Sequence, residues 1–202
     1  MEHLSLAHWR RTTAEMYAAV RLANDPLLAH QHFVNTRNIL FKNHAQSPLT
    51  AVQRASFDQL SYYPYESAFR VIGIGDYQVE PVERIIELPA EGTLRIKRIA
   101  IIHFELLQQQ AHLSLYWVQG YGGGLFLPFK DLTNRSETFG GGRYLYDTIK
   151  GADLAANETE IPLDFNFAYN PSCAYNAQWV CPLAAQENNL NLAITAGEKR
   201  FA

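Results

Sequence analysis

Cysteine is nearly missing from this 202-residue chain. Cys173 and Cys181 are too few for the disulfide framework of a small secreted domain. Long apolar runs are missing too, since no stretch approaches the ~18 residues that a membrane-crossing helix needs. The opening stretch MEHLSLAHWRRTTAEMYAAV has neither the continuous apolar segment nor the small-residue cleavage site of a secretion signal. These absences predict a cytoplasmic protein with no membrane partner. Basic charge is also short: 17 Lys+Arg face 20 Asp+Glu, a formal charge of −3, which leaves no footprint for a phosphate backbone and argues against nucleic acid. Charged residues make up only 18% and hydrophobic ones 48%, so the chain is not disordered and has ample surface to bury. There is no internal repeat, low-complexity run or interdomain linker. We expect one domain over residues 1–202, with a helical segment at 1–60 and an antiparallel β body at 61–202.

Leu6, Trp9, Thr13, Met16, Tyr17 and Val20 recur at helical spacing, with Arg10, Arg11 and Glu15 off that stripe and Ser5 placed to cap it. Asn24-Asp25-Pro26 reads as a cap followed by proline in a first turn. It launches a second helix through about Phe41, with Leu28, Phe33, Leu40 and Phe41 as its buried side. HAQSPLT at 44–50 ends that helix. From Ser61 the pattern changes to period two, rich in aromatic and β-branched residues. Strands are predicted at 68–74, 82–88, 94–106, 112–119, 125–129, 143–146, 161–167 and 190–195. PAEGT at 89–93 and QGYGGG at 119–124 read as hairpin turns. The expected architecture is mainly β (α+β): an antiparallel barrel or sandwich of about eight strands with an N-terminal helical hairpin packed on it.

Three places hold residues able to do chemistry. In LDFNF, Asp164 and Asn166 are expected on one strand face opposite Leu163, Phe165 and Phe167, and both are poor strand formers. They read either as a polar pocket, with Asp164 as a general base or ligand acceptor, or as a mutually satisfied pair. In SETFGGGRYLYD, three glycines precede Arg143 and Tyr144. The arrangement suits an anion nest with a guanidinium beside it, or a glycine turn whose arginine pairs with Glu137 or Asp131. In AYNPSCAYN, Tyr169 precedes an Asn-Pro turn and Cys173 follows it. Cys173 is a nucleophile only if a base or charge lowers its pKa, and buried structural thiols are commoner. The C-x7-C spacing matches no zinc pattern. His103 and His112 flank one predicted hairpin without a third ligand. No cofactor or metal is expected.

Several of these stretches belong together. ETFGGGRYLYD, LDFNFAYNPSCAYNAQWVCPL and ENNLNLAITAGEKRF, with HAQSPL and LPFKDLT upstream, resemble the bacterial domain-of-unknown-function family 1684 from about His44 onward. The matching positions include Asp131, Thr138, Gly142, Arg143, Tyr144, Asp164, Asn166, Tyr169, Asn170, Pro171, Cys173, Tyr175, Cys181, Asn188 and Glu198. That family carries no established activity, so the resemblance implies kinship and no reaction. Phe167 stands where relatives tend to carry a basic residue, which implies that any anion contact made there has been lost.

The leading expectation is a domain that binds a small polar or anionic molecule in a pocket built from Arg143, Tyr144, Asp164, Asn166 and Tyr169. Two alternatives stand beside it: a hydrolase using Asp164 or Cys173, and a structural or interaction module in which the same residues clamp the last strands. Nothing in the sequence points to a homo-oligomer, although one is compatible with it.

Overall fold

The computed structural model describes residues 2–88 and 92–201, so the expected turn at 89–93 lies largely outside the described residues. Helix α1 spans Glu2–Leu22, α2 spans Pro26–Asn43 and a short α3 spans Ala51–Ser56. Ser5 lies inside α1 rather than capping it. Asp25 caps α2 as the sequence suggests, its Oδ1 accepting from the amides of Leu27 (2.9 Å) and Leu28 (3.2 Å), with Pro26 filling the first turn. Phe33, Leu40 and Phe41 are buried, whereas Leu28 is 61% exposed. Helix α3 was not expected from the sequence. It begins in a capping box: Thr50 Oγ1 accepts from Gln53 N, and Gln53 Oε1 accepts from Thr50 N at 2.8 Å.

Seven strands follow among the described residues: β1 Arg70–Asp76, β2 Glu83–Leu88, β3 Gly92–Leu106, β4 Gln109–Val118, β5 Gly124–Phe129, β6 Arg143–Asp147 and β7 Ile161–Asp164. They form one antiparallel curled sheet in the order β6-β5-β4-β3-β1-β7, with β2 paired to the first part of the long β3. The architecture is mainly β (α+β) as expected, and the curled sheet is a half-barrel. β6 and β7 stand at its two ends, and a single bridge between Tyr144 and Tyr169 ties the chain after β7 back to β6. The β3–β4 hairpin turns on Leu107 and Gln108, both at positive φ (51° and 63°), where Asn-Gly is the usual choice. QGYGGG is the β4–β5 turn, with Gly120, Gly122 and Gly123 at positive φ.

Two expected strands are altered. The one predicted at 161–167 ends at Asp164, and Phe165–Phe167 is a 3-10 turn. Asp164 and Asn166 therefore do not share a strand face. The one predicted at 190–195 keeps its period-two burial, with Leu190, Leu192 and Ile194 inside, yet forms no regular ladder. Its amides and carbonyls meet residues 130–132 only at intervals, as in Leu190 N to Lys130 O (2.8 Å) and Leu132 N to Leu192 O (2.9 Å), and the carbonyl of Ile194 goes to a guanidinium.

One apolar core joins helices to sheet. Phe33 of α2 meets the rings of Tyr17, Tyr62 and Phe167 at 5.5, 6.0 and 5.1 Å, and such a ring contributes about 1.5–3 kcal/mol by burial. Helix α1 packs on the turn after β6 and α2 on the turn after β7, so the hairpin sits where the two end strands leave the sheet.

Candidate functional site

The predicted pocket residues divide into separate groups. Asp164 is buried at the end of β7, and its Oδ1 accepts from the amide of Asn166 (3.1 Å) and from Asn166 Nδ2 (2.8 Å). Asn166 completes its bonding on Glu66, accepting from its N–H and donating to its carbonyl, both at 2.9 Å. Burial pushes the Asp164 carboxyl above its ordinary range, while the Asn166 bonds and Arg70, 3.8 Å away, oppose that shift. This is a clamp that holds the 3-10 turn to the segment before β1. Asn166→Ala removes the partner of the Glu66 backbone groups and of the buried Asp164, and should lower the unfolding free energy by about 2 kcal/mol. Asp164→Asn keeps the Oδ1 acceptor and discards a desolvated charge, so its effect should stay within about 1 kcal/mol. Urea unfolding of the two variants gives this ordering directly.

Arg143 does not face that pair. It is 0% exposed at the start of β6, and its Nη2 donates to Asp131 Oδ2 (2.9 Å) and to the carbonyl of Ile194 (3.0 Å). Its Nη1 donates to the carbonyls of Ala196 and Glu198, and its guanidinium lies over the Phe129 ring. Burial pushes its pKa down, and Asp131 pulls the other way. The other Asp131 oxygen takes the amide and hydroxyl of Thr133 and the amide of Ile194. The glycines upstream are a close-approach device rather than an anion nest. Gly142 sits at φ +91°, and a side chain there would run into the Phe129 carbonyl.

Tyr144 and Tyr169 do come together. Their backbones exchange two hydrogen bonds (2.9 and 3.1 Å), their rings meet edge to face at 5.8 Å, and both line a cleft of about 80 Å³. Its walls are α1 (Thr13, Tyr17), α2 (Arg37), the end of β6 with the following turn (Asp147, Lys150) and the chain from Tyr169 to Tyr175, with Cys181 at one side.

Arg37 is the group that sequence reasoning passed over. It lies on the buried stripe of α2 with Phe33, Leu40 and Phe41, and a charge on an apolar stripe was the available signal. Its Nε donates to Tyr62 Oη (2.6 Å) and its Nη2 to Glu198 Oε2 (2.8 Å) and Tyr175 Oη (3.2 Å). The Glu198 carboxylate also accepts from Tyr175 Oη (2.5 Å) and the amide of Asn170 (3.0 Å). Arg37 Nη1 has no acceptor among the described residues.

Other polar groups on this cleft lack partners as well. Tyr17 Oη and Asn170 Oδ1 are fully buried with no hydrogen-bond partner among the described residues. Burial pushes the Tyr17 phenol up, so it keeps its proton and can donate. Asp147 is buried, and its nearest cation is Lys150 Nζ at 3.6 Å. Buried polar groups without partners are uncommon, and the side chains that carry two of them line this one small cleft beside a guanidinium.

Cys173 and Cys181 are neighbours, both partly exposed and both free. Cys181 Sγ accepts the amide of Cys173 at 3.3 Å. The two thiols influence each other: the Cys173 thiol is pushed well above the ordinary range and Cys181 down to about 7, with burial opposing the second shift. Cys173 is thus the poorer nucleophile of the two, contrary to the order suggested by the sequence. His103 and His112 pair across β3 and β4 with rings 6.0 Å apart, and no cluster of three or more metal-ligating side chains occurs among the described residues. No described helix is long and apolar enough to cross a membrane.

The family model described as "Protein of unknown function (DUF1684)" matches residues 55–199. The chain belongs to this family. The DUF1684 match starts later than the motifs at 44–49 suggested, so α1 and α2 lie outside it. Tyr17 and Arg37 therefore come from outside the family-matched stretch, and Asp147, Asn170, Cys181 and Glu198 from within it. Among solved structures, the DUF1684 chain is similar to the solution NMR structure of an uncharacterized protein from Haloarcula marismortui, at 32% identity and a TM-score of 0.64, covering 84% of this chain and 91% of that one. Comparison with curated proteins finds no match.

Proposed function

We propose that the protein binds a small, polar, uncharged or zwitterionic molecule in the cleft between the helical hairpin and the chain after β7. The observation that carries this reading is that Tyr17 and Asn170, whose Oη and Oδ1 are buried without partners, line the same cleft as Arg37. Left empty, each such group costs about 1–3 kcal/mol, and a ligand that bonds to both recovers that cost on binding. Donor and acceptor roles are mixed: Arg37 Nη1 and the Tyr17 hydroxyl donate, while Asp147 and Asn170 Oδ1 accept. Arg37 and Lys150 balance Glu198 and Asp147, which favours a ligand without net charge over the anion expected at Arg143. A cleft of about 80 Å³ takes two or three groups the size of water, each ~30 Å³, so the ligand is small. Compared with the sequence-based expectation, Tyr144 and Tyr169 stay in the site, whereas Arg143, Asp164 and Asn166 serve the scaffold. A hydrolase built on Asp164 or Cys173 has less support, because Asn166 binds the Asp164 oxygen and the Cys173 thiol is held above the ordinary range.

Tyr17→Phe separates this reading from a purely structural one. The variant should gain about 1 kcal/mol without ligand, because a buried unpaired hydroxyl is gone. In thermal-shift titrations with small amino acids, amides and polyols, the compound that stabilises the wild type should bind the variant about tenfold more weakly. Equal binding by both proteins would put the ligand elsewhere, and a panel in which nothing stabilises the wild type would count against the cleft.

A further inference from the structure

We propose that Cys181 and Cys173 form a dithiol site for small hydroperoxides, with Cys181 as the attacking sulfur and Cys173 as the resolving one. This inference uses the same cleft as the proposed ligand but does not rest on that ligand's binding.

Three observations carry it. First, the sulfur of Cys181 takes the amide of Cys173 at 3.3 Å, which sets it against the backbone that carries the Cys173 side chain although seven residues separate the two in sequence. Second, the surroundings differ. Cys181 lines the cleft and lies in the field of the Lys150 ammonium, while Cys173 is absent from the cleft wall. A thiolate is the reactive form, and the amide, the neighbouring thiol and the lysine all favour negative charge on Cys181. Third, Cys181 is reachable: it is partly exposed and lines a cleft of about 80 Å³, room enough for hydrogen peroxide or a compact alkyl hydroperoxide. Cys173 itself sits in the 3-10 turn Ser172–Ala174, and the chain from there to Cys181 is irregular, so no strand or long helix opposes closure.

The chemistry balances without further reagents. The Cys181 thiolate attacks one peroxide oxygen, the S–O bond forms as O–O breaks, and the departing oxide takes a proton from solvent. The sulfur loses two electrons and the peroxide is reduced to water or an alcohol. Cys173 then attacks the sulfenic sulfur, S–S forms as S–O breaks, and hydroxide leaves with the Cys173 proton as water.

The test treats full-length protein with stoichiometric hydrogen peroxide and follows free thiols, dimedone adducts and the peptide map. Wild type should lose both thiols and yield a peptide linked through Cys173 and Cys181. Cys173→Ser should stop at a dimedone-trapped sulfenic acid on Cys181, and Cys181→Ser should be oxidised about tenfold more slowly, as an ordinary thiol is. Two free thiols persisting in wild type would overturn the proposal, and that measurement does not depend on the folding of any variant. Equal rates for the two serine variants, or faster oxidation by glutathione disulfide than by hydrogen peroxide, would overturn it as well.

Discussion

Arg143→Ala should lose about 3–5 kcal/mol of stability, because it leaves Asp131 as a buried charge without its cation. The loss extends beyond the ion pair. Arg143 also supplies the donors for the carbonyls of Ile194, Ala196 and Glu198, and no strand ladder stands ready to replace them. The expected result is a strongly lowered urea midpoint or little recoverable folded protein, with the segment after residue 190 losing amide protection first. Asp131→Ala should come close to the same loss. Combining Arg143→Met with Asp131→Leu should recover only part of it, because the carbonyls and the Thr133 amide remain without partners. A midpoint for Arg143→Ala near that of the wild type would remove the clamp and return Arg143 to consideration as a binding group.

Glu198→Ala should cost a similar 3–5 kcal/mol, and the comparison with Arg37→Met is more telling than the value. Without Glu198, the Arg37 guanidinium keeps the phenols of Tyr62 and Tyr175 but no anion among its bonded partners. Without Arg37, the Glu198 carboxylate still accepts from Tyr175 and from the amide of Asn170. Arg37→Met also adds apolar surface against the rings of Phe33, Phe41 and Tyr169, which now lie 5.0–5.6 Å from the guanidinium carbon. Glu198→Ala should therefore be the more damaging by about 1–2 kcal/mol in chemical denaturation. The reverse order would mean that Tyr175 and the Asn170 amide do not suffice to hold the buried carboxylate, which then depends on Arg37 more than Arg37 depends on it.

Much of the architecture could be read from the residues. Asn-Asp-Pro marked the start of α2, the glycine cluster at 120–124 marked a turn, and alternation located every β segment. Thr50 and Gln53 have the spacing of a capping box, so α3 was legible although it went unread. Failures came where side chains replaced backbone pairing. Leu190, Leu192 and Ile194 alternate as a strand does, but alternation reports which faces are buried and not what bonds the amides. Asp164 has the same lesson: a poor strand former at a strand's end is acting as the cap of the turn that stops it. The cleft was less legible, because Tyr17, Arg37, Asp147 and Asn170 come from four separate elements, and a partnerless hydroxyl looks in sequence like any other tyrosine. The one usable sign was an arginine three residues before Leu40 and four after Phe33, on a stripe otherwise given to apolar side chains.

The bond between Arg37 and Glu198 joins positions 161 residues apart. Loop-closure entropy must be overcome before such a contact forms, and rates fall as contacts become less local. The helical hairpin can form early from local signals, yet its guanidinium has no bonded anion until the whole sheet has been laid down between the two ends. Helix α2 then serves as a latch whose closing reports that the intervening strands are already in order.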